Sequence, residues 1–264
     1  MAGLLTRRSK DAGPPQRPTT PSTSRIMRHH EYYIPSADAA FLTGSVLFRV
    51  HRYFFIRESP IFQEMFRSRY SDLESPKRIL DSEPIVLEDV GVQDFECFLW
   101  VIYNPKYSIY VTTSENWFRI LSLASIWQFP VVKRLAVTHL EQQPCNAVEK
   151  IAVYHACSLD EALLLSSYVE LCQREDLIEE DEANMLGMPT VLKLVRVREH
   201  IWRVLVEGRR SDTEDVVDLI REVFSISGPA RIAGPARSEG GDTERSGLSR
   251  ISEAVSTLLK SKPT

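Results

Sequence analysis

The run Asp38-Ala-Ala-Phe-Leu-Thr-Gly-Ser-Val-Leu-Phe-Arg-Val-His-Arg-Tyr-Phe-Phe-Ile-Arg-Glu-Ser-Pro-Ile-Phe-Gln-Glu-Met-Phe66 decides the fold. Asp38 to Leu42 and Val46 to Val50 are apolar and rich in strand formers, and the short Gly-containing loop Thr43-Gly44-Ser45 between them predicts a β-hairpin. After His51 the pattern turns helical. Pro60 suits a first helical position and pushes the preceding residue out of helix, so Ser59 reads as an N-cap and one helix ends where the next begins. That next helix presents Phe62, Met65 and Phe66 on one face. In the first, Tyr53, Phe54, Phe55 and Ile56 point at about 0, 100, 200 and 300 degrees, which leaves the helix without a polar side. Such a helix should be covered from two directions, either wholly inside its own chain or by its core on one side and a second subunit on the other.

Further along, Pro84-Ile-Val-Leu87 reads as a third strand and the chain beyond it as helices. Val92, Phe95, Phe98, Leu99 and Ile102 share a face, and Asn104-Pro105 stops that helix. Thr112 with Glu115 reads as a capping box, Pro130 opens a helix, and Asn146 and Asp160 cap two more. A small sheet of about three strands, followed by helices, defines an α+β fold.

The two ends differ from this middle. Residues 1–30 are Pro, Ser, Thr and Arg with little to bury and read as a disordered basic arm. The arm carries a net +5, and a whole-chain charge of −4 then leaves −9 for the remainder. Prolines 14, 15, 18 and 21 oppose the amphipathic helix of a mitochondrial presequence, and Ala2 to Leu5 is too short for a secretory apolar region. Residues 227–264 begin as a Gly/Pro/Ala/Arg linker, after which Leu248, Ile251, Val255, Leu258 and Leu259 fall at helical spacing. That short amphipathic helix would be marginal alone and needs a partner.

Chemistry is sparse. No Gly-Lys pair or G-x-G-x-x-G offers a phosphate loop, His30-Glu31 has Ile34 where a zinc protease needs its second His, and Gly247-Leu-Ser249-Arg-Ile251 fails as a nucleophile elbow. The four cysteines, at 97, 145, 157 and 172, form no C-x-x-C and read as buried hydrophobes in a reducing compartment, cytoplasmic or nuclear. A Cys/His hydrolase built on Cys157 with His155 or His139 is the one enzymatic alternative, but both histidines lie on apolar helix faces. The acids at 179–182 suit a first helical turn, and the arginines at 196, 198, 203, 209 and 210, with no aromatic stacking pattern or docking motif beside them, read as a solvated face. No apolar run exceeds the seven residues Cys97 to Tyr103, against roughly 20 for a membrane helix. The reading expects no catalytic residues, cofactor, metal, nucleic acid or membrane.

The order of hairpin, His51-Arg52, short helix, Ser59-Pro60-x-Phe62-x-x-Met65-Phe66 helix, third strand and paired helices resembles the BTB/POZ domain. Asp38 and Phe98-Leu-Trp-Val-Ile-Tyr103 belong to the same resemblance, which places this domain at 31–142 and a helical extension at 143–226. The extension, with Tyr168-Val-Glu-Leu171 and Leu177 to Gly187, is similar to that of BTB proteins abundant in mushroom-forming basidiomycete fungi. Ala39-Ala40 departs from the bulkier residues usual in the family's first strand, and no second recognition module is visible.

The resemblance implies a non-enzymatic protein-interaction module that homodimerises through its first helix, here Tyr53, Phe54, Phe55 and Ile56. It also implies contact with a cullin scaffold through the loop after the Met-Phe helix, where Tyr70 and Asp72 stand nearest to the family's hydrophobic residue and Glu. A substrate adaptor for a cullin-type ubiquitin ligase is one version of that role, and a transcription co-regulator scaffold is the alternative.

Overall fold

The structure is a computed structural model that describes residues 26–69, 81, 83–104, 106, 109–208 and 213–228. Four strands form one sheet: β1 (Met27–Tyr33), β2 (Ala39–Thr43), β3 (Val46–Val50) and β4 (Ile85–Val86), in the order β1-β3-β2-β4. The hairpin pairs β2 and β3 antiparallel from Ala39 opposite Val50 to Thr43 opposite Val46. Gly44 turns it at φ +57°, a left-handed conformation that suits glycine. β1 and β4 run parallel to their neighbours.

The sheet thus has one strand more than the sequence reading, and β1 takes in residues 27–30 of what that reading assigned to the arm. The reason is local. A register shift between Arg28 and Tyr33 breaks the two-residue alternation, so the inward residues are His29 and Tyr32, three apart. The rest of the proposed arm, 1–25, lies outside the described residues.

Helices α1 (Arg52–Glu58) and α2 (Pro60–Arg69) follow the hairpin, and α3 (Val92–Tyr103), α4 (Ser114–Ile126) and α5 (Pro130–Glu141) complete the first part. α4 begins one residue later than the expected capping box: Thr113 is its N-cap and accepts the Asn116 N–H, while Thr112 Oγ1 accepts from the Asn116 side chain. Phe41 sits at the centre of the core, its ring 5.0 Å from Phe55, 5.9 Å from Phe62 and 5.4 Å from Phe95. Most of these pairs are edge-on, a geometry that adds roughly 0.5–1.5 kcal/mol per pair beyond burial. Ala39 and Ala40 are both fully buried, and by strand alternation Ala39 shares the face of Phe41.

The chain continues through α6 (Ala147–Ala156), a 3-10 turn (Glu161–Leu164), α7 (Leu165–Gln173), α8 (Glu180–Leu186), α9 (Met188–Val206) and α10 (Thr213–Phe224). Asn146 and Asp160 cap their elements through side-chain oxygens, as their types favour. Glu182 accepts the Glu179 N–H at the start of α8, so the acidic run serves a helix N-terminus. One continuous apolar core runs from β1 to α10. Lys133 of α5 reinforces the junction by donating to the Cys157 carbonyl at the end of α6, 2.7 Å away.

Candidate protein-binding surface

α1 is placed by hydrogen bonds at both ends. Asp38 Oδ1 accepts the Arg52 N–H at 2.9 Å and Oδ2 pairs with Arg52 Nε at 2.8 Å, so a residue before β2 satisfies the start of the helix. His51 N–H donates to the Tyr103 hydroxyl at 2.8 Å, and Nδ1 of the same His lies 3.0 Å from that oxygen. At the other end Glu58 Oε1 accepts from the N–H groups of Val131 and Val132, capping α5. Ser59 Oγ donates to the Trp127 carbonyl at 2.6 Å and accepts the Phe62 N–H at 3.1 Å, the geometry of an N-cap for α2. The α1–α2 corner is therefore fastened to the α4–α5 corner, and α1 presents a fixed outer face.

That face is apolar. Phe55 alone of the four residues is fully enclosed, packed among Phe41, Phe62 and Phe129. Phe54 and Ile56 are half-buried, Phe54 edge-on to Tyr103 at 5.3 Å, and Tyr53 is 63% exposed. Arg57 lies 5.6 Å from the rings of both Tyr53 and Phe54. The chain itself covers this helix from one direction. Of the other motif residues, Phe62 and Phe66 are in the core, Met65 is half-buried on α2, and Pro60 is exposed as the first residue of α2. Tyr70 and Asp72 lie outside the described residues.

The Cys/His arrangement does not come together. Cys157 is buried, with its sulfur 3.9 Å from the Leu121 carbonyl, and burial pushes its thiol up to about 11. His139 stacks on Trp117 at 4.4 Å, and burial lowers its pKa. His155 engages the Tyr168 hydroxyl at 2.9 Å and Glu161 at 3.1 Å. Both imidazoles are thus spent on neighbours other than the thiol.

Among the described residues one cluster has metal-ligand composition: His29, His30 and Glu96. His29 Nδ1 accepts the N–H groups of Glu31 and Tyr32, so its proton sits on Nε2 and is donated to Glu96 at 3.0 Å. A metal ligand needs that Nε2 lone pair, with the other nitrogen donating outward. The cluster instead holds β1 to α3, its imidazole stacked on Phe48 at 4.5 Å. Among the described residues no helix is long and apolar enough to cross a membrane.

A second apolar surface escaped the sequence reading. On α9, Met188, Leu192, Val195, Trp202 and Val206 are exposed, while Thr190, Leu194 and Val197 face the core. Steps of four, three, seven and four between the exposed residues, all spacings that keep to one helical face, were the available signal, broken by Glu199 and by the arginines between them.

Residues 31–144 match the family model of the BTB/POZ domain. The chain thus carries a BTB/POZ domain, a protein–protein interaction module, in an α+β fold with a helical C-terminal part. Comparison with curated proteins gave no match.

Proposed function

We propose that this chain is a self-associating adaptor, in which the outer face of α1 pairs with a second copy and the remaining surface recruits a protein partner. One observation carries the reading: of four consecutive apolar residues on a helix held rigidly at both ends, only Phe55 is enclosed and Tyr53 stands 63% exposed. Burying Tyr53, Phe54 and Ile56 against their equivalents would remove apolar surface worth about 25 cal/mol per Å². BTB domains commonly homodimerise, which supports the same reading.

Sedimentation velocity on the full chain tests it. The wild type should sediment as a dimer at concentrations on the order of tens of micromolar, a range typical of modest interfaces. Tyr53→Asp should be monomeric with an unchanged circular dichroism spectrum, since the side chain is mostly exposed. Phe54→Asp should act in the same direction if it folds. A wild type already monomeric at those concentrations contradicts the proposal.

For the recruited partner we propose a cullin scaffold, on the strength of the pattern at Tyr70 and Asp72. Asp is one methylene shorter than the family's Glu, so the aromatic residue would carry the contact. Affinity purification from cell extract should recover a cullin that Tyr70→Ala loses. Recovery of nuclear repressor complexes in its place would turn the reading to a co-regulator scaffold.

A further inference from the structure

The outer stripe of α9 is an unusual surface for a helix that already buries its opposite side. At 100° per residue, Met188, Leu192, Val195, Trp202 and Val206 fall within about 80° of arc, and the stripe runs roughly 27 Å. Trp202 is 69% exposed and Met188 64%. Beside the stripe a groove of about 870 Å³ lies between α9 and the end of α7, lined by Leu177, Val195, Ile201, Trp202 and Leu205 and floored by Cys172. Among the described residues nothing covers it.

We propose that residues 248–259 of this same chain occupy that groove. Leu248, Ile251, Val255 and Leu258 repeat in steps of three, four and three, which puts them on one face of a helix about 18 Å long. Such a segment is too short to be stable by itself and gains its helix by burying this face. The chain's exit supports the assignment. Phe224 at the end of α10 stacks on Tyr168 at 4.0 Å and lies under Lys193 of α9 at 5.0 Å, so the described chain ends at Gly228, four residues beyond a contact with α9.

The 19 residues from 229 to 247, rich in Gly, Pro and Ser, would span roughly 22–26 Å as a flexible chain, matching the stripe's length. A tether of that reach places the segment at an effective concentration of about millimolar. Docking of this kind makes the tail an internal competitor for any partner helix that uses α9.

Hydrogen exchange read by mass spectrometry on the full chain at low concentration tests the proposal. Amides 249–259 should exchange at least about ten-fold more slowly than an unstructured peptide, the signature of a local closed state. Val195→Asp with Trp202→Asp, both at exposed positions, should return them to the unstructured rate without altering α3 or α4. The reciprocal pair Ile251→Asp and Leu258→Asp should make Trp202 fluorescence more quenchable by acrylamide. Free exchange of 249–259 in the wild type overturns the proposal, as does protection that survives the α9 substitutions. Protection that appears only as concentration rises, together with a doubled mass, would give the groove to a second copy and overturn it as well.

Discussion

Asp94 and Arg119 form the most enclosed ion pair among the described residues. Asp94 on α3 is 8% exposed at its side chain and Arg119 on α4 13%, and Arg119 is also bonded to Glu115 at 2.9 Å. Asp94 accepts the Gly91 N–H at the start of α3 as well, so it closes a helix terminus and a helix–helix contact together. Removing Asp94 leaves the enclosed Arg119 with Glu115 alone and the Gly91 N–H without its acceptor. Asp94→Ala should cost about 3–5 kcal/mol in urea unfolding, whereas the double variant Asp94→Ala with Arg119→Met should recover a large part of that loss. Equal losses in the single and double variants would show that the contact is not the source. A sequence reading cannot find this pair, because nothing in the spacing of Asp94 and Arg119 says that α3 and α4 will lie side by side.

At the scale of elements, two carboxylates tie the helices of the extension. Glu161 in the 3-10 turn is bonded by His155 of α6 and Tyr168 of α7, and the His155 contact chiefly holds its carboxyl below the usual value of 4.5. Glu182 of α8 is held low mainly by its bond from Arg174, just after α7. Both carboxyls thus titrate lower folded than unfolded. Their contribution is complete above about 4.5 and is lost as pH falls through the folded values. The urea midpoint should be level from neutral pH to about 5 and fall below 4.5, and Glu161→Gln with Glu182→Gln should flatten that acid limb. Glu161 is partly exposed, so its share should stay below about 1 kcal/mol. An acid limb unchanged in the double variant would count against these two ties.

The elements themselves were legible where a single residue type forces an event. Pro60 and Pro130 start helices, Ser59, Asn146 and Asp160 cap them, and Gly44 turns the hairpin. β1 was illegible because its bulge leaves a histidine and a tyrosine three residues apart as the inward side chains, a pattern shared with polar loops. The candidate site was half legible: the apolar run 53–56 announces a helix without a polar side, but only packing shows that Phe55 is the member enclosed and Tyr53 the one left outside.

For the whole molecule, the continuous core means that the BTB/POZ domain and the helices after it present their surfaces as one body. Two apolar faces, on α1 and α9, then stand on opposite parts of the sequence, and the account gives the first to a second copy and the second to the chain's own tail. The claim on α1 is central, and mass alone does not locate an interface. Hydroxyl-radical footprinting of the full chain across a concentration series reads the location directly. Oxidation of the Tyr53 and Phe54 rings should fall as the population passes from monomer to dimer, while exposed Val111, far along the sequence, stays constant. Unchanged reactivity of Tyr53 through that transition would contradict the account.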